Sequence, residues 1–263
     1  MIVQILGAKM LAPFIGTSHF VWTAQIAVTL MALAVGYYAG GKLVDRSPRL
    51  ERLYWAVIVA AIYLAGTVTL VEPLAFWCLK FKLAVGSLLA SALLFFVPLG
   101  LLAMVGPFFV RVLTVAVAGV GGNMGRLTAI STFGSFVGTM LIGYLLVPFL
   151  RNSVTMYLVC VVLLAVAAGY FVVWGRRQTS LAKTTAALVG GLALGGLGVW
   201  RDQPVQGKDW TEIYRTNSNY GSLQVFDDHN WGHRYYLNDY LTQNSSDPHT
   251  GQRPDGIGLH FTM

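Results

Sequence analysis

Charged residues make up only 11% of these 263 residues, where a soluble domain carries about 25%. A surface so poor in charge excludes an ordinary water-soluble globular protein. Cysteine is nearly absent as well. Cys78 and Cys160 lie far apart, in or beside apolar segments, which excludes a disulfide framework and offers no zinc-ligand spacing. They read as small buried apolar residues. No G-x-G-x-x-G, P-loop, G-x-S-x-G or H-E-x-x-H pattern occurs, so no nucleotide cradle, nucleophile elbow or zinc-protease helix is expected. The glycines over 190–198 sit inside an apolar run with no strand before them, which makes them packing glycines. No string of acids lies within the apolar segments to mark an ion or proton path. Met1 opens into an apolar segment without a basic leader, so no cleavable signal peptide is expected.

What the sequence has in abundance is hydrophobic residues, at 56%. A spanning helix needs about 20 mostly apolar residues. Candidates lie near 2–15, 19–41, 53–72, 83–106, 127–149, 154–174 and 184–200, and the first is short and carries Lys9. Pro107 is expected to end or kink the fourth segment. The following 108–119 then reads as an amphipathic stretch at the interface or re-entering the bilayer. The expected fold is an all-α polytopic membrane protein of about seven transmembrane helices, residues 1–201, followed by a short β-hairpin-rich tail, 202–263.

The net charge of +7 is unevenly placed. Residues 1–202 hold 14 Lys/Arg against 4 Asp/Glu, whereas 203–263 hold 4 against 7. The basic residues sit at helix ends and form no patch, which argues against nucleic-acid binding. Two short loops are basic: Lys42, Arg46, Arg49 and Arg52 follow the second segment, and Arg176, Arg177 and Lys183 follow the sixth. Both are expected on the cytoplasmic side. A seventh crossing then delivers the tail to the outside, periplasmic or extracellular if the membrane is a bacterial inner membrane.

Small residues at four-residue spacing let helix backbones approach closely. Gly36 and Gly40 in the second helix and Gly134 and Gly138 in the fifth are candidate packing positions, with Ser131, Ser135 and Thr139 beside the latter. Intramolecular packing explains them more simply than a dimer seam. Lys9, Glu72 and Arg111 are the ionisable candidates at depth, each near an expected interface where snorkelling accounts for it. Arg126 precedes the fifth helix and could tie a loop to a carbonyl or lipid phosphate.

In the tail, 212–216, 220–228 and 233–239 are rich in Tyr, Val, Leu and Ile and read as strands, with a turn over 230–232. The residues after 244 read as loop. His229 and His233 flank the turn beside Asp227 and Asp228, a solvated hairpin tip rather than a metal site. His249 and His260 have no neighbour at ligand spacing. About sixty such residues are marginal as a free domain and are expected to need a partner surface.

Residues 7–46, GAKMLAPFIGTSHFVWTAQIAVTLMALAVGYYAGGKLVDR, resemble the opening of the membrane-embedded spermidine synthase-like proteins. Residues 122–150 are similar to that family's second signature, a Gly-Arg followed by Ser-Thr and a Gly-Ser-x-x-Gly-Thr helix. The tail resembles the small β domain at the front of the aminopropyltransferase fold. Gln243 matches the family's substrate-side Gln with one extra residue before it, and Asn238 and Asp239 stand where Asp-Gly is usual. The resemblance implies a following Rossmann-like domain with a glycine-rich nucleotide loop and a catalytic aspartate, none of which has a counterpart here. A chain with no catalytic residue, cofactor or metal of its own is therefore expected, and Gln243 is carried over from the family as a substrate-binding residue only. The expected role is a non-catalytic membrane subunit that lies in the lipid bilayer and holds other membrane or peripheral subunits through its 202–263 tail. Two alternatives follow from the resemblance: the membrane half of a split aminopropyltransferase, and a polyamine transporter.

Overall fold

The computed structural model describes residues 1–16, 18–114, 119–173, 189–191, 193, 196, 209–218, 221–238 and 241–247. Among them, five helices are long and apolar enough to cross a membrane. They are α2 (His19–Arg46), α3 (Leu50–Cys78), α4 (Leu83–Leu113), α5 (Val120–Phe149) and α6 (Asn152–Val173), preceded by the shorter α1 (Ile2–Ile15). An antiparallel meander follows, of β1 (Trp210–Ser218), β2 (Gly221–Asp228), β3 (His233–Asn238) and β4 (Leu241–Ser246), in the order β1-β2-β3-β4. The chain is an integral membrane protein built mostly of helix, with a small C-terminal sheet. Most of the expected seventh segment, 184–200, lies outside the described residues. Within it residues 189–191, Ala193 and Gly196 are helical, and Gly191 backs onto Leu164 of α6 and Ile62 of α3.

Two expectations are corrected. Within the stretch 108–119, residues 108–113 continue α4 beyond Pro107 after a break at Met104, and 115–118 lie outside the described residues. Pro107 lacks the N–H that would reach Ala103 and its ring crowds that carbonyl. The helix therefore hitches at Met104, whose N–H turns to the Leu101 carbonyl at 3.3 Å, and resumes at Val105. The fifth helix begins at Val120 rather than 127, after Gly119 turns the chain with φ of 100°. That left-handed conformation suits glycine alone among common residues.

The helices alternate between two ends. At one end the α2–α3 and α4–α5 connections meet: Arg111 Nε lies 4.0 Å from an Asp45 carboxylate oxygen, and Val44, Leu53 and Phe108 pack together. Tyr54 and Tyr170 stack at 3.9 Å there, which brings the end of α6 to the start of α3. Lys42, Arg46, Arg49, Arg52 and Arg126 belong to this basic end. At the opposite end Phe14 meets Phe76 edge-on, and α5 turns into α6 at Leu150 and Arg151. Twenty-three residues of α3 separate Tyr54 from Trp77, which at about 1.5 Å per residue is about 35 Å. Aromatic residues at both levels match the girdles that mark the two faces of a bilayer.

Three devices hold the bundle together. A shared core of Leu6, Leu11, Leu64, Leu94, Phe95 and Met156, among others, runs through α1, α3, α4 and α6. Small residues bring α2 against α4: a Cβ on Gly36 would lie 2.3 Å from the Gly100 carbonyl oxygen, and one on Gly40 would lie 2.8 Å from Met104 Cα. The third device concerns proline. In hydrocarbon a freed carbonyl has no water to turn to, so a neighbouring helix must supply the donor. Pro13 deprives the Lys9 carbonyl of its N–H, and Asn152 Nδ2 of α6 donates to it at 3.3 Å. Pro98 follows a π turn at Ala92–Phe96, so the N–H that a five-residue step would bring to Leu93 is missing. Tyr63 of α3 donates its hydroxyl to that carbonyl at 2.5 Å. A second π turn, Leu141–Leu146, precedes Pro148 in α5 in the same way.

Candidate functional site

Outside the helices, the part of the described structure with the most specific side-chain arrangement is the sheet. It sits at the end of the bundle opposite the basic loops, where an Arg151 N–H donates to the Arg215 carbonyl of β1 at 3.4 Å. In a regular strand residues three apart point to opposite faces. Here Ile213 is an extra residue between Glu212, opposite Phe226, and Tyr214, opposite Val225. This bulge brings Glu212 and Arg215 to one face, where Arg215 grips the Glu212 carboxylate through both Nε and Nη2, the latter at 2.8 Å. The Glu212 side chain is fully buried and that of Arg215 is 22% exposed. Gln224, opposite Arg215, is buried beside them, and Ser245 of β4 is buried on the same face, opposite Tyr235. The other face carries Asp227 and Arg234, directly opposite each other on β2 and β3 and joined by two hydrogen bonds of 2.7 and 2.9 Å. The carboxylate raises the pKa of the Arg234 guanidinium above its ordinary value.

The residues singled out in the sequence fall in separate places. Gln243 is half-buried in β4. Tyr236 faces Asn244 and Leu237 faces Thr242, which leaves Gln243 as the unpaired residue of a second bulge. Such bulges re-aim a side chain relative to its strand. Gly36 and Gly40 lie against α4, Gly138 lies against Ile2 of α1, and nothing stands within 4 Å of a Cβ built on Gly134. Gln243 and the four glycines therefore do not form one site. Lys9 is half-buried in α1 and offers only its carbonyl to Asn152, Glu72 is exposed on α3, and Arg126 is exposed on α5.

At the hairpin tip, His229 Nε2 lies 2.8 Å from the Thr211 hydroxyl. Asp228 accepts the N–H groups of Asn230 and Trp231, and Gly232 completes the turn with φ of 63°. These side chains close the turn, and among the described residues no group of three or more metal-ligating side chains converges. His249 and His260 lie outside the described residues. The expected strands are present, with a fourth, β4, running to Ser246 where loop was expected after 244.

Sequence reasoning missed Tyr63 and Asn152, the donors that serve the proline-freed carbonyls. The signal for them was Pro13 and Pro98 inside apolar runs, each of which demands a donor from elsewhere. It also missed the exposed apolar residues of the sheet: Trp231 is 73% exposed and Tyr214 52%, and Ile213 and Trp210 are exposed as well.

Comparison with protein-family models, with curated proteins and with solved structures returns no match for this chain.

Proposed function

We propose that this chain is a non-catalytic integral-membrane subunit whose sheet holds a partner protein at the membrane surface. One observation carries the reading: Trp210, Ile213 and Tyr214 of β1 and Trp231 at the hairpin tip are each exposed on a small sheet fastened to one end of the bundle. Trp and Tyr are enriched at protein interfaces, where they supply most of the binding energy. The bundle fixes the height and orientation of that surface.

The placement of basic residues supports a tail on the outer side. Lys42, Arg46, Arg49 and Arg52 cluster at the end away from the sheet, and Lys/Arg-rich short loops face the cytoplasm. Val173 lies at the basic end and Arg215 at the other, which supports a further crossing between them. The helical residues at 189–191 beside α3 and α6 fit that passage. With α1 this makes seven membrane segments.

The test is co-purification of the tagged full chain from its native membrane in mild detergent, beside a Trp231→Ser/Tyr214→Ser variant. Both substituted side chains are exposed, so the variant should fold. A stoichiometric protein retained by the parent and lost from the variant is expected; a clean monomer from the parent would sink the reading. Sidedness is read separately with Trp231→Cys and a membrane-impermeant maleimide on intact cells. Cys78 and Cys160 are buried and give little background. Labelling only after permeabilisation would place the tail inside.

A further inference from the structure

The interior of the bundle contains polar atoms that its packing does not satisfy. Gln25 of α2 is completely buried, and among the described residues neither its Nε2 nor its Oε1 has a hydrogen-bond partner. Ser91 of α4 is also completely buried, and its hydroxyl likewise has no partner among the described residues. Their polar neighbours along the helices are occupied: Thr29 donates to the Gln25 carbonyl at 2.7 Å, and Ser87 donates to the Ala84 carbonyl at 3.0 Å.

A Cβ on Gly7 of α1 would lie 2.7 Å from Gln25 Nε2 and 3.0 Å from the Phe95 ring, so α1, α2 and α4 meet at that point. Ser91 lies one helical turn from Phe95 on nearly the same face of α4, toward the sheet end. The π turn begins at the next residue, Ala92, and such turns recur where a helix departs from regularity for a functional reason. The polar side chains named here are amide and hydroxyl groups, all neutral. A small guest that satisfies them accepts from the Gln25 amide, donates to its oxygen, and exchanges a hydrogen bond with the Ser91 hydroxyl. Buried water meets those terms, since it makes two to four hydrogen bonds to polar groups that packing leaves unpaired.

We propose that Gln25 and Ser91 hold an internal water between α1, α2 and α4, a wet point inside an otherwise apolar bundle. The site orders the outer half of the bundle: it ties α2 to α4 at a level above the Gly36 and Gly40 contacts, where α1 packs against both.

The test uses the full chain in nanodiscs and synchrotron X-ray pulses, which turn bound water into hydroxyl radical that oxidises the nearest side chains. Phe95 and Phe108 are both 0% exposed, and Phe108 packs among Val44 and Leu53 at the basic end, away from these groups. Mass spectrometry should find Phe95 oxidised several-fold faster than Phe108. Gln25→Met and Ser91→Ala should each bring Phe95 down to the Phe108 rate. Equal rates in the parent protein overturn the proposal, and so does a fast Phe95 rate that neither variant changes. If both variants fail to fold, the comparison of Phe95 with Phe108 in the parent decides it.

Discussion

Replacing Gly36 by Ala tests the packing of α2 on α4. The added Cβ would lie 2.3 Å from the Gly100 carbonyl oxygen and 2.6 Å from Ala103 Cβ. Carbon atoms in contact sit about 3.5–4.0 Å apart, so the two helices must part by about 1 Å. The first obstacle is backbone and cannot rotate away. Overpacking of this kind costs about 1–3 kcal/mol, offset by up to about 1 kcal/mol because Ala is the better helix former. The control is Gly41→Ala, in the same helix and five residues on, where nothing stands within 4 Å. That substitution keeps the propensity gain and meets no obstacle, so it should be neutral or stabilising. Thermal unfolding in mild detergent, read by loss of the monodisperse peak, should place the Gly36 variant well below the parent and the Gly41 variant at or above it. Adding Ala103→Gly should restore only part of the loss, since the Gly100 oxygen remains. If the two single variants unfold together, α2 and α4 do not approach through Gly36 and the reasoning fails.

Tyr63→Phe and Asn152→Ala each strand a carbonyl that proline has freed, and each should cost about 1–3 kcal/mol, measured by the same unfolding assay; an unchanged midpoint for both would show that the carbonyls need no outside donor. Glu212→Gln breaks a buried bidentate pair and should cost roughly 3–5 kcal/mol. Asp227→Asn breaks a partly exposed pair and should cost about 1 kcal/mol or less. Amide hydrogen exchange across the sheet separates them, and equal protection in the two variants contradicts the assigned burial. Gly232→Ala forces a side chain onto a φ of 63° and should loosen the β2–β3 turn by about 1–2 kcal/mol, seen as faster proteolytic nicking at the hairpin tip.

Much of the architecture was legible because hydrophobic run length is a direct physical requirement of a bilayer. Helices α2 to α6 each coincide with an apolar segment, and the β2–β3 turn follows from the turn residues at 230–232. Boundaries were less legible. Pro107 is expected to end or kink its helix, and α4 hitches at Met104 and runs on to Leu113, while α5 begins at Val120 rather than 127. Tertiary neighbours accommodate a proline that would end an isolated helix. In the sheet, the alternation of side chains showed strands, but the bulge at Ile213 that unites Glu212 with Arg215 depends on how β1 pairs with β2.

The sequence by itself determined that this chain lives in a membrane and that a short strand-rich tail follows the helices. These properties depend on composition and order along the chain. Only the tertiary structure decided which glycines bring helices together. Gly40 and Gly41 are adjacent and identical, yet one meets Met104 and the other meets nothing. Helical periodicity says which residues share a face, but only the neighbouring helices say which face is covered. The same holds for Lys9 and Leu93, whose carbonyls are satisfied by side chains from α6 and α3, and for Gln25, whose isolation arises only once α1, α2 and α4 have closed around it.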